Sequence, residues 1–122
     1  TSDTKSLHIY FKPLFVPRND DRCYILSEFG GYAIKTEGHM YSPDNQFGYR
    51  IYRKPEKIAK AIEKLYTNTI IPKIDKGLSA TVYTEVSDVE QEMNGLVTYD
   101  RRVIKVPIDL MRKINAQLVI KD

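Results

Sequence analysis

The stretch Cys23-Tyr24-Ile25-Leu26-Ser27-Glu28-Phe29-Gly30-Gly31 constrains this chain more than any other. An apolar run without polar alternation reads as a parallel strand covered on both faces. It ends abruptly in a carboxylate, an aromatic and two glycines, and paired glycines permit a sharp exit at positive φ. Glu28 is therefore expected at the C-terminal mouth of a buried strand, where α/β folds carry their reactive groups.

Length limits what surrounds that strand. The 122 residues make at most one domain, and an apolar fraction of 42% supports a modest core. A complete (β/α)8 barrel needs roughly 200 residues or more. The 19 basic and 16 acidic residues are interspersed, so the net charge of +3 reads as a solvated surface and not as a nucleic-acid footprint. Cys23 is the only cysteine, which excludes an internal disulfide and a cysteine-built metal site. It suits a reducing compartment, and the cytoplasm is the expected location. No run approaches the ~18 apolar residues of a membrane span, and Thr1 opens no signal-peptide pattern, so no membrane partner is expected. The chain starts without Met, in a polar segment leading straight into a strand, and is expected to be a piece of something longer.

Along the chain, Leu7-His8-Ile9-Tyr10-Phe11 is a β-rich run closed by Lys12-Pro13, giving a strand that ends near Tyr10. The connection that follows carries Pro17 and the polar cluster Arg18-Asn19-Asp20-Asp21, and is short for a parallel crossover, so any helix there is vestigial. The Glu28 strand is expected over 24–27. From 32 to 52 there is no sustained period but many aromatic and hydrogen-bonding side chains, which reads as a long functional loop arching over the strand mouth. Pro55 suits a first helical position, and Ile58, Ala59, Ile62, Leu65, Tyr66, Ile70 and Ile74 keep helical spacing up to Gly77. Pro72 predicts a kink or break in the last turns. A strand over 78–84 follows, then the acidic group Glu85, Asp88, Glu90 and Glu92, a tight turn at Asn94-Gly95, and a small hairpin of 96–99 against 103–106. Pro107 opens a last helix with Leu110, Met111, Ile114 and Leu118 on its face. The order strand, strand, helix, strand, helix is that of an α/β fold with right-handed crossovers.

Glu28 leads the candidates for chemistry, because a carboxylate ending a buried strand beside aromatics is partly desolvated yet open to a cleft. Tyr10 ends the neighbouring strand, and its phenol is placed to donate to Glu28. His8 shares the face of Tyr10, and His39 lies in the aromatic loop. Neither stands at metal-ligand spacing, which leaves a ligand hydroxyl contact or plain structural bonding. The acidic group does not follow an EF-hand loop and reads as a solvated loop. Tyr83, at a strand end, either stacks on a ligand or packs. The glycine pair is part of neither a dinucleotide fingerprint nor a Walker sequence. No metal and no cofactor is expected.

The chain resembles the C-terminal part of the catalytic barrel of family 2 glycoside hydrolases, the group of β-galactosidases, β-glucuronidases and β-mannosidases. The carrying motifs are Ser6-Leu7-His8-Ile9-Tyr10-Phe11-Lys12-Pro13, then Ile25-Leu26-Ser27-Glu28-Phe29-Gly30-Gly31-Tyr32, then Val82-Tyr83-Thr84-Glu85-Val86-Ser87-Asp88-Val89-Glu90, running on to Asn94-Gly95-Leu96-Val97-Thr98-Tyr99-Asp100-Arg101. The likeness covers nearly the whole chain. It implies a C-terminal fragment of a (β/α)8 TIM barrel, strands six to eight with helices seven and eight, occupying residues 1–122. It further implies that Glu28 is the catalytic nucleophile, that Tyr10 orients it, and that His8, His39 and Tyr83 are substrate-binding. Tyr83 departs from the tryptophan that many members carry on strand eight.

The activity so implied is retaining hydrolysis of a β-glycoside, in which two carboxylates serve as nucleophile and as general acid then base. The family's acid/base glutamate follows an asparagine, and no Asn-Glu pair occurs in this chain. The fragment is therefore expected to be inactive alone. Its open strand edges are expected to be covered by self-association or by the rest of the barrel. The competing expectation is a non-catalytic α/β carbohydrate-binding or interaction module that uses the aromatic loop 32–52.

Overall fold

Three parallel strands carry the rest of the molecule in the computed structural model, which describes residues 2–17 and 20–120. The order is β1 (Thr4–His8), β2 (Cys23–Gly30), then β5 (Leu78–Thr84), with β2 in the middle. Between β2 and β5 lie β3 (Tyr32–Ile34), β4 (Arg50–Tyr52), helix α1 (Pro55–Leu65), a π-helical turn (Tyr66–Ile70) and the short α2 (Ile71–Ile74). Helix α3 (Ile108–Asn115) comes last. This is a small α/β domain with an open sheet, not a closed barrel. Arg18 and Asn19, half of the expected polar connection, lie outside the described residues.

Helix α1 forms where the sequence predicts it. Pro55 starts it, Glu56 and Lys64 sit at the ends where the helix dipole favours their charges, and Ile58 and Ile62 form its buried stripe. Each of those isoleucines contributes roughly 1.5–3 kcal/mol by leaving water. The break comes earlier than Pro72 predicts. A ring at 72 removes an amide donor and crowds the carbonyl four residues back, so the helix widens upstream, and the Ile71 amide bonds to the Tyr66 carbonyl. The widened turn still delivers Tyr66 and Ile70 to the core.

Two further expectations need correction. The stretch 32–52 is not loop throughout, because β3 and β4 pair in parallel, Tyr32 with Arg50 and Ile34 with Tyr52. Residues 35–49 between them are stapled to the segment after β5 by Phe47 N–H to the Gln91 carbonyl at 2.8 Å and Met93 N–H to the Phe47 carbonyl at 2.9 Å. The Glu28 strand also runs on to Gly30, and it contains a bulge. Leu7 pairs with Leu26, but His8 pairs with Glu28, so Ser27 is an extra residue; the pairing with β5 slips across the same place. The Ser27 hydroxyl donates to the Leu7 carbonyl at 2.9 Å and accepts from Ser6 at 2.6 Å, which satisfies polar groups around the bulge.

The bulge decides which way Glu28 points. With strict alternation, Leu26 and Glu28 would share a face. The extra residue instead keeps Tyr24, Leu26 and Phe29 together in the core and turns Glu28 to the other side. That core also takes Ile58, Ile62, Tyr66, Ile70, Leu78 and Ile114. The expected small hairpin is present in minimal form, with Thr98 N–H to the Val103 carbonyl at 3.0 Å and Lys105 N–H to the Leu96 carbonyl at 2.8 Å. Among the described residues, no helix is long and apolar enough to cross a membrane.

Candidate active site

Glu28, Tyr10 and His8 meet at the C-terminal end of the sheet. The Tyr10 hydroxyl donates to Glu28 Oε1, and His8 Nδ1 lies 3.1 Å from Glu28 Oε2. The Glu28 side chain is 33% exposed and that of His8 58%, so the carboxylate is half-sheltered but open to an approaching ligand. Partial burial and then the hydrogen bond to Glu28 push the Tyr10 phenol well above its ordinary range. It therefore stays protonated, and a donor, through the working pH range of most proteins.

Tyr10 is held from behind by Tyr49, whose ring stacks on it at 4.4 Å and 15°. Both rings lie against Gly31, which has φ of 69°; a Cβ there would come within 2.7 Å of the Tyr49 ring and 3.0 Å of the Tyr10 ring. Glycine is thus needed at position 31 for close approach as well as for backbone conformation. Gly31 N–H also donates to the Thr84 carbonyl at 2.9 Å, which ties the mouth of β2 to the end of β5.

The other two sequence-named residues stand elsewhere. His39 Nδ1 is 2.8 Å from Asp100 Oδ2, and Asp100 also accepts from Thr98 Oγ1 at 2.6 Å. The Thr98 and then the His39 hydrogen bonds hold the Asp100 carboxyl well below the ordinary range. Tyr83 faces inward, its ring edge-on to Phe29 at 5.5 Å and stacked over Tyr66 at 6.4 Å. Its hydroxyl is buried without a hydrogen-bond partner among the described residues, and desolvation pushes the phenol far up. Tyr83 is partly buried and packs against the core.

No protein-family profile matches the chain, and no curated protein matches it. Among the described residues, no three His, Cys, Asp or Glu side chains are grouped to hold a metal ion.

In the acidic group after β5, Glu90 is exposed as the group's composition predicts, but Asp88 is buried. Asp88 and Lys105 form a buried ion pair at 2.5 Å, and Asp88 also accepts the Gly95 amide at 2.8 Å. The signal that marks Lys105 is its place inside the apolar run Val103-Ile104-Lys105-Val106. Glu85 is pushed up to about 7, first by desolvation and then by the neighbouring Glu92 and Asp88 charges, and one of its oxygens is buried without a partner. A carboxyl raised on folding stabilises the protein fully below its unfolded pKa, and that contribution is lost as pH rises through the folded one. Stability should accordingly fall between about pH 4.5 and 7. After discounting for solvent screening of this partly exposed group, the loss is about 1 kcal/mol. Urea titrations of the native chain and of Glu85→Gln at both pH values check this: the Gln variant should lack that part of the slope, and identical slopes would refute it.

Proposed function

We propose that this chain is the closing part of the catalytic barrel of a retaining β-glycosidase of the family 2 type, with Glu28 as nucleophile. The observation that supports this reading best is the Tyr10 hydroxyl donating to a half-exposed Glu28 at the C-terminal mouth of a parallel sheet. In the reaction, one Glu28 oxygen attacks the anomeric carbon as the glycosidic oxygen leaves with a proton from a second, protonated carboxyl group. Water, deprotonated by that second group, then releases the glycosyl-enzyme intermediate. Tyr10 fixes the carboxylate so that one oxygen faces the substrate, and His8 is placed to meet a sugar hydroxyl or to hold the other oxygen.

The two carboxylates must stand about 5 Å apart, and the second is expected from barrel strands that this chain does not contain. The partners proposed are a β-glycoside substrate and the rest of the barrel, or a second copy covering the open face where Val82 is exposed. The isolated chain should give no turnover of aryl β-glycosides, and turnover abolished by Glu28→Gln would show that the missing acid is dispensable. In the chain joined to the remaining barrel strands, Glu28→Gln should lower kcat/KM by roughly 10³-fold or more. Tyr10→Phe should lower kcat by roughly 10- to 100-fold, because it frees the nucleophile from its position. An active Glu28→Gln enzyme would leave the aromatic surface of Phe47, Tyr49 and Tyr41 as a non-catalytic binding face.

A further inference from the structure

A parallel crossover normally lays a helix over the sheet. Between β1 and β2 none of the described residues is helical, and from this segment only Leu14 and Val16, each 4% exposed, are fully buried against the core. The incomplete cover leaves a cavity of about 630 Å³ between β2 and the end of the long helix, within the size range of small-molecule sites. Its floor includes the buried Leu26, Phe29 and Ile70, and its exposed rim carries Lys12, Arg50 and Lys64.

Among the described residues, no Asp or Glu lines this cavity. None of its three cations is ion-paired among the described residues, whose salt bridges all involve other side chains. Arg50 lies over the Phe11 ring at 4.4 Å instead, and Phe11 stacks on Tyr32 at 5.5 Å from a backbone with φ of 52°. A phenylalanine in the left-handed region is strained, and strain of that kind gathers at sites the surrounding structure over-determines. The π-helical turn adds the polar side chains of Asn68 and Thr69 to the lining, and such turns recur at functional positions.

We propose that this cavity binds a small organic anion with an apolar body. Its acid group pairs with the rim cations Lys12, Arg50 and Lys64, and its body lies on Leu26, Phe29 and Ile70. The site is on the helix-covered face of the sheet, whereas Glu28 projects from the other, so the proposal does not rest on the glycosidase reading.

Isothermal titration calorimetry with decanoate, below its micellisation concentration, tests it on the chain as it stands, with decanol as the uncharged control. Decanoate should bind at least roughly tenfold more tightly than decanol, and less tightly as salt is raised. Lys64→Gln and Arg50→Gln, both at exposed positions, should each weaken it roughly three- to tenfold; Lys64→Gln should leave thermal unfolding unchanged, whereas Arg50→Gln also loses the contact with the Phe11 ring. Ala61→Phe, which puts a ring into the cavity from α1, should weaken it at least roughly tenfold. Absent binding, equal binding of acid and alcohol, or affinity unchanged in both charge variants would overturn the proposal. Decanoate bound normally by a folded Ala61→Phe protein would do so too.

Discussion

Lys105→Met is expected to lower folding stability by about 3–5 kcal/mol, read as a shift of the urea midpoint at pH 7. The Lys105 side chain is 1% exposed and that of Asp88 7%, and the ammonium donates to Asp88 Oδ1 at 2.5 Å and to the Met93 carbonyl at 2.8 Å. Burial pulls the Lys105 pKa down and the Asp88 pKa up, so desolvation outweighs mutual attraction for each group. Such a pair adds little over an apolar replacement of both members, but removing one leaves the other charge buried alone. Methionine fills the volume of the lysine stem, so the loss reports the stranded carboxylate and not a cavity. Adding Asp88→Asn to Lys105→Met removes that charge while keeping an acceptor for the Gly95 amide, and should recover roughly half of the loss. A single variant that unfolds at the native midpoint would show that the pair does not act as a lock.

That lock joins residues too far apart in sequence for any local pattern to show. Local chemistry was legible: Pro55 starts α1, Gly77 ends the helical region, and β5 spans the 78–84 that its small and β-branched residues predict. The meeting of Tyr10 with Glu28 was legible although the strand end was not: β1 stops at His8, which pairs with Glu28, and Tyr10 reaches the carboxylate from the turn that follows. The bulge at Ser27 was not, since an apolar run carries no register information; only pairing with Leu7 and Thr81 defines it. The β3–β4 pair was missed because each strand has three residues, too few for a period to be visible. Asp88 and Lys105 are 17 residues apart, and His39 and Asp100 61 apart. No window of local pattern sees such pairs, and composition alone suggests solvation for all four side chains. Tyr83 shows the same limit from the other side: a strand-end tyrosine reads equally as stacker or packer, and its contacts with Phe29 and Tyr66 lie 54 and 17 residues away.

The largest stability loss is expected from Gly95→Ala, about 4 kcal/mol or more. A Cβ at Gly95 would lie 2.2 Å from the Asp88 amide nitrogen, 2.4 Å from the Ser87 carbonyl carbon and 2.7 Å from the Val97 carbonyl oxygen. All three are backbone atoms, so no rotamer change relieves the clash and the loop itself must move. That movement would pull the Gly95 amide from Asp88 and open the hydrogen bonds beside it, Glu85 N–H to the Asn94 carbonyl at 3.1 Å and Leu96 N–H to the Glu85 carbonyl at 3.0 Å. Those bonds fasten the loop onto the end of β5, where the Thr84 carbonyl receives the Gly31 amide at the mouth of the Glu28 strand. A domain of this size has about 5–15 kcal/mol to lose, so the variant should melt far below the native chain or fail to fold. Gly38→Ala is the control, because Gly38 has φ of 76° but nothing within 4 Å of the added carbon. Its cost is conformational only, about 1–2 kcal/mol. Thermal unfolding of the two variants separates steric from backbone effects, and equal melting temperatures would refute the steric argument. If Gly95→Ala folds at all, the Gly31 amide resonance should shift, because the same loop that buries Lys105 also holds the site mouth in register.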